Sequence, residues 1–226
     1  MNPLVELAKK MVETYIKDYN PPTTLPPKGR APGKIISIPE NLPKEFLEKR
    51  AGVFITIEKA LGGLPRSQTK LVLRGCIGTY LPTRENIAEE IIYNAIAAAT
   101  EDYRFGPIQE EELSSLSYTV YILSEPELVL TKEVSDPPKF FLEKLRRASL
   151  DPKKYGILVK TVPITRPNGA DVVFNGHFVA KTGLLLPDLE GVDTIEKQIS
   201  IACQKAGIDP LKEKVLIYKF TVEKYQ

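Results

Sequence analysis

Gly75 and Gly78 interrupt an otherwise strand-like run, Leu71-Val72-Leu73-Arg74-Gly75-Cys76-Ile77-Gly78-Thr79, and this limits the folds open to the chain more than any other feature. The apolar and β-branched residues predict a strand over residues 71–79. A strand that gives up two side chains brings something close to its backbone, because glycine has no Cβ to hold a neighbour away. That neighbour is either another backbone or a ligand. Arg74 and Cys76 stand two positions apart, so an uninterrupted strand directs them to one face, where a guanidinium favours the thiolate. The run therefore nominates Cys76 as a nucleophile and Arg74, Gly75 and Gly78 as ligand contacts. The plainer alternative is that Cys76 fills a small core space while Arg74 pairs with an acid.

The surrounding patterns place this strand in an α+β fold. Asn2 and Pro3 open a helix whose apolar stripe is Leu4, Leu7, Ala8, Met11 and Tyr15. Five prolines between residues 21 and 43 (Pro22, Pro26, Pro27, Pro32 and Pro39) oppose regular structure there, which leaves an ordered wrapping loop or a mobile linker. Residues 52–59 predict a strand with Val53, Ile55 and Ile57 on one face, followed by a Gly62-Gly63 turn. Thr83 is expected to cap a helix from residue 84 to about residue 100, with Ile87, Ile91, Ala95 and Ala98 buried; its alanines permit close approach to a sheet.

Farther along, residues 117–123 have two apolar faces and suit an interior strand. Residues 139–148 suit a short amphipathic helix, and a strand begins at Gly156. A hairpin is expected over residues 171–180, turning at Asn175-Gly176. Asp193 and Glu196 have capping-box spacing before a helix with Ile195, Ile199, Ala202 and Cys203 on its apolar side and Gly207 as its stop. A closing strand is expected over residues 215–222. Hairpins rather than regular crossover helices link the strands, so the expected sheets are mixed and mainly antiparallel.

Composition excludes several classes. Apolar residues make up 42% and charged residues 27% of 226 positions, a balance that suits a folded globular chain rather than a disordered one. Lys and Arg exceed Asp and Glu by 31 to 29, so the bulk field gives little attraction for a polyanion. No apolar run is long enough to cross a bilayer, and the Asn2-Pro3 start lacks the order of a secretory signal; the expected location is the cytoplasm. The two cysteines lie too far apart for a zinc motif or a disulfide framework, so no metal is expected. The glycines fit neither a phosphate-binding Walker loop nor a dinucleotide fingerprint, and no cofactor is implied.

Leu73-Arg74-Gly75-Cys76-Ile77-Gly78, Asp102-Tyr103-Arg104-Phe105, Leu184-Leu185-Leu186-Pro187 and Cys203-Gln204-Lys205-Ala206-Gly207, in that order, resemble the AMMECR1-domain family over nearly the whole chain. The resemblance implies a single domain over residues 1–226, made of a larger and a smaller lobe separated by a cleft, with the Arg74–Gly78 segment as its functional region. It also implies a modification pathway, with a Memo-like protein or a radical-SAM enzyme as partner. Arg104 and Phe105 match a second characteristic segment and join the ligand-contact candidates. The chain departs from the family pattern over residues 161–179 and again at Asp188-Leu189-Glu190.

Two roles are open to Asp102. It acts on Cys76 as an acid or base, or it pairs with Arg104 at the helix end. If Arg104 faces Arg74, their combined charge suits a phosphate or carboxylate on a small anionic ligand. The sole histidine, His177, flanks the expected hairpin and suits a structural or solvent-exposed role. Arg146-Arg147 and Lys153-Lys154 beside Tyr155 suit either a solvated face or a nucleic-acid surface. The expected function is thus a cytosolic ligand-binding or modification-pathway module with a cleft, centred on residues 73–78. A protein-interaction adaptor or a nucleic-acid-binding module is the alternative.

Overall fold

A computed structural model describes residues 2–19, 38, 42–61, 70–162 and 180–226. Most of the proline-rich stretch, the Gly62-Gly63 turn, the Asn175-Gly176 hairpin and His177 lie outside them. The chain divides into two compact units, Met1–Leu123 with Glu223–Gln226, and Ser124–Val222. Each unit has one four-stranded sheet and helices packed against it.

In the first unit, α1 (Pro3–Tyr19) is followed by the short α2 (Glu45–Glu48), β1 (Val53–Ala60), β2 (Leu71–Gly78), α3 (Ile87–Thr100), a 3-10 turn (Glu110–Ser115) and β3 (Leu116–Leu123). The sheet has the order β2-β1-β3-β8, where β8 is Val222–Tyr225. β1 pairs antiparallel with both β2 and β3. Alternation aims Val53, Ile55 and Ile57 at the helices, and all three are fully buried with Ile91 and Ala95 of α3 and Leu7 and Val12 of α1. Each such isoleucine contributes about 1.5–3 kcal/mol by leaving water. The interior position expected for residues 117–123 is found in β3, and Asn2 caps α1 by accepting the Leu4 N–H at 2.9 Å.

The second unit contains β4 (Glu127–Lys132), α4 (Pro138–Arg147), β5 (Gly156–Thr161), β6 (Thr182–Leu185), α5 (Ile195–Ala206) and β7 (Val215–Phe220). Its sheet order is β4-β7-β5-β6, and its three paired interfaces are antiparallel. Leu145, Ile157, Val159, Ile199, Ala202 and Ile217 form the core under α4 and α5. Gly207 ends α5 at φ 62°, the left-handed conformation that glycine adopts most easily.

Three expectations are corrected. Helix α3 begins at Ile87 rather than residue 84, and Asn86, not Thr83, caps it by accepting the Glu89 N–H at 2.9 Å. The cause is Glu90, a carboxylate only 1% exposed. It accepts from Thr79 Oγ1 at 2.7 Å, Thr83 N at 2.7 Å, Thr83 Oγ1 at 2.9 Å and Arg84 N at 2.9 Å, which ties residues 79–84 into a loop instead of a helical turn. Burial pushes the Glu90 carboxyl up, but these donors outweigh it and hold the group below its ordinary range. At α5 the cap is Thr194, which accepts the Lys197 N–H at 3.2 Å, rather than Asp193. The closing strand breaks at Thr221, where Ser124 Oγ accepts the Thr221 N–H at 3.0 Å, so β7 and β8 join different sheets.

Gly75 faces α3 so closely that a Cβ there would sit 2.1 Å from the Ala98 carbonyl oxygen. The close neighbour anticipated for this strand is therefore a helix backbone. At Gly78 an added Cβ would meet the Val53 carbonyl oxygen at 2.4 Å and the Phe54 ring at 2.3 Å. Replacing Gly75→Ala should destabilise the protein by about 1–3 kcal/mol, because backbone cannot yield as a side chain does. Gly106→Ala meets nothing within 4 Å and should stay within about 0.5 kcal/mol of wild type. Paired thermal melts of the two variants check the contrast.

Candidate functional site at the edge of the first sheet

β2 is an edge strand, so half of its backbone polar groups find no partner in β1. The turn that follows α3 supplies partners. Phe105 N donates to Asp102 O at 2.9 Å and Ile108 N to Ala99 O at 2.9 Å, which folds residues 102–108 back against the helix end. This turn brings the Asp102 carboxylate to the strand edge, where Oδ2 accepts the Cys76 N–H at 2.8 Å.

Arg104 grips the same carboxylate in a fork, Nε to Oδ1 at 2.9 Å and Nη2 to Oδ2 at 2.7 Å, while its own N–H reaches Oδ1 at 3.2 Å. Nη2 also lies 3.5 Å from the Cys76 carbonyl oxygen. Asp102 is 5% exposed. Burial pushes its carboxyl up, but the Arg104 and Cys76 hydrogen bonds outweigh this and hold it below the usual range. An ionised Asp102 with these commitments positions the Cys76 backbone. It holds no proton to donate at neutral pH, and its lowered basicity makes it a weak proton acceptor.

Arg74 and Cys76 do not share a regular alternation. Ile57 pairs with Gly75 and Glu58 with Leu73, so Arg74 is the additional residue of a β-bulge. The bulge aims its guanidinium at the chain beyond α3. Nε and Nη2 bind the two oxygens of Glu112, each at 2.9 Å, and Nη1 and Nη2 donate to the carbonyls of Gly106 at 2.9 Å and Pro107 at 3.2 Å. Lys59 Nζ adds a contact to Glu112 Oε2 at 2.9 Å, and Gln109 N donates to Oε1 at 3.0 Å. The Arg74 bond and these further donors outweigh burial and hold the Glu112 carboxyl down at about 2.

Phe105 lies between the two cations, its ring centroid 5.4 Å from the Arg104 guanidinium carbon and 6.0 Å from that of Arg74. Cys76 is partly exposed and paired across the sheet with Thr56, whose hydroxyl donates to Sγ at 3.3 Å. The structure thus brings Arg74, Cys76, Asp102, Arg104 and Phe105 together around one strand edge and adds Thr56, Lys59 and Glu112. Gly75 contributes close packing against α3, and Gly78 approaches β1.

Sequence reasoning missed Glu112. Its only mark is the three-residue spacing from Gln109, which forms a capping box; the run Glu110-Glu111-Glu112 does not reveal which carboxylate turns inward. Cys203 belongs to the second unit, where burial pushes its thiol up to about 11 and makes it unreactive. Tyr155, also in that unit, has Lys154 at 5.1 Å and Lys219 at 5.4 Å from its ring. No group of three or more potential metal ligands occurs among the described residues.

Two antiparallel sheets flanked by helices, with an Arg-Gly-Cys edge strand clamped by a post-helical turn, define an α+β protein of a distinct type. A family model described as AMMECR1 matches residues 5–225, and the chain belongs to this family. A Thermotoga maritima protein is 40% identical over 225 residues, spanning all of this chain and 98% of the relative. A Clostridium acetobutylicum protein is 36% identical over 225 residues, but the match spans only 36% of that longer chain. The crystal structure of an uncharacterized Pyrococcus horikoshii protein is similar with a TM-score of 0.67 and 30% identity, covering 98% of this chain and 88% of the other. Among the described residues, no helix is long and apolar enough to cross a membrane.

The Glu112 cluster predicts a specific acid response. The folded-state value near 2 lies below the ordinary 4.5, so its stabilisation is fully present above pH 4.5 and is lost as pH falls toward 2. Glu112→Gln should cost about 3 kcal/mol at pH 7, by leaving Arg74 without its carboxylate. The variant's stability should also depend less on pH between 4.5 and 2, which denaturant titrations at several pH values would measure.

Proposed function

We propose that the chain is a ligand-binding module of a modification pathway, receiving a small anionic group at Arg104 beside Cys76. The observation that carries this reading is the state of Arg104. Its side chain is 44% exposed although it is forked onto a carboxylate that is 4% exposed. Nε and Nη2 are engaged, while Nη1 has no hydrogen bond among the described residues. A guanidinium fixed in this way offers donors to a phosphate or carboxylate with little loss of side-chain freedom. Arg74, by contrast, is saturated by Glu112 and two carbonyls and serves to position the turn. The Cys76 thiol stands beside the ligand position as a contact group. Neither cysteine forms a disulfide, in keeping with a cytoplasmic location.

Calorimetric titration with inorganic phosphate and with malonate tests the proposal. Both Arg104→Gln and Arg104→Lys should weaken binding by about tenfold or more, the value of a charge-assisted hydrogen bond. Cys76→Ser should leave it within a few-fold. Wild-type protein that binds neither anion, or binding that survives both Arg104 substitutions, overturns the reading.

Tyr103 favours a second reading. It is 94% exposed on a turn fixed on both sides by Asp102 and Arg104. A rigidly presented aromatic suits a protein contact, and the adaptor alternative would take the Memo-like or radical-SAM protein as its partner. In that case Tyr103→Ser abolishes association with such a partner and leaves anion titrations unchanged.

A further inference from the structure

The second unit carries a groove between α4 and α5 that takes no part in the Arg104 site. It encloses about 500 Å³, within the range of pockets that hold small molecules. Leu145 of α4 and Ile199 and Cys203 of α5 are buried and form an apolar floor, with Phe141 of α4 beside them. Ile208, just past the Gly207 stop of α5, bounds one end.

The charges of the lining have one sign. Glu196, Ser200 and Gln204 follow one ridge of α5 at i, i+4 and i+8, and Asp209 lies past the helix end. Among the described residues no Lys or Arg lines the groove; Lys139 and Arg146 of α4 and Lys197 of α5 stand outside it. The two carboxylates differ in their commitments. Asp209 accepts the Leu211 N–H at 3.0 Å and pairs with Lys212 at 3.2 Å. Glu196 is half-buried, and it makes no hydrogen bond or ion pair among the described residues. A first-turn carboxylate complements the dipole of α5. That role does not require Glu196 to line an apolar groove.

We propose that this groove binds a small organic ammonium, its apolar body seated over Phe141, Leu145, Ile199 and Cys203 and its cationic nitrogen donating to the Glu196 carboxylate. The lining selects the charge. An anion would meet Glu196 and Asp209 with like charge and find no cation to pair with. A neutral apolar molecule would strip water from Glu196 and leave its carboxylate without a partner, which is costly. An ammonium supplies the missing donor, and the attraction strengthens as its apolar body displaces water from the groove. The dimensions select a short alkyl or aryl chain. Glu196 to Gln204 spans about 12 Å along α5, and Ile208 bounds the end of that run.

Titration of the full chain at pH 7 with hexylammonium, hexanol and hexanoate provides the test. Hexylammonium should bind with a dissociation constant of about 1 mM or below. Hexanol should bind at least about tenfold more weakly, the difference made by a charge-assisted hydrogen bond, and hexanoate should not bind. Glu196→Gln should reduce hexylammonium to the affinity of hexanol while the circular dichroism spectrum stays that of wild type. Ser200→Trp, at an exposed position of the same lining, should block both ligands. Arg104→Gln should leave hexylammonium binding unchanged, which separates this groove from the anion site. Wild-type protein that does not bind hexylammonium overturns the proposal. So do equal affinities for hexylammonium and hexanol, hexylammonium binding that survives Glu196→Gln, or a groove that accepts only a lysine-bearing helical peptide.

Discussion

The Asp102 carboxylate is the constraint on which the candidate site depends. Helix α3 ends within two residues of it, the edge strand delivers the Cys76 N–H to it, and Arg104 closes on it from the following turn. A buried carboxylate is costly unless its lone pairs are occupied. Here occupying them joins a helix end, a strand edge and a turn in one charge-assisted network. Cys76 and the exposed part of Arg104 acquire fixed positions as a result, held by the same bonds that complete the sheet.

Glu112 does the equivalent for the other end of the turn. It holds Arg74 in place, and Arg74 in turn holds the Gly106 and Pro107 carbonyls. The two arginines thus divide their duties. Arg74 is spent inside the structure, whereas the half-exposed Arg104 keeps one nitrogen, Nη1, without a hydrogen bond among the described residues. Phe105 lies against both guanidinium groups.

Periodicity made much of the framework legible. The stripe of α1, the alternation of β1 and the stop at Gly207 follow directly from side-chain spacing, and the order of strands and helices indicated an α+β fold. The local starts of α3 and α5 did not follow, because several residues compete for each cap and buried Glu90 decides the first from a distance in sequence. β4 also escaped notice: Glu127, Thr131 and Lys132 dilute its apolar pattern, and its identity comes from pairing with β7. In the site, Arg74, Cys76, Asp102, Arg104 and Phe105 were readable as motif residues, but the bulge that turns Arg74 toward Glu112 was not. A bulge depends on the register of two strands, which one strand's sequence does not contain.

Gly75 has a counterpart at Gly183, where an added Cβ would lie 2.0 Å from the Ala202 carbonyl oxygen. Each sheet therefore receives a helix at a depth limited by backbone atoms. Core side chains elsewhere can exchange volume among themselves while this depth stays the same. In the first unit the helix so registered runs directly into residues 102–107, so gradual substitution of the core leaves the clamped strand edge where it is, whereas a side chain at Gly75 would displace the helix that carries the clamp.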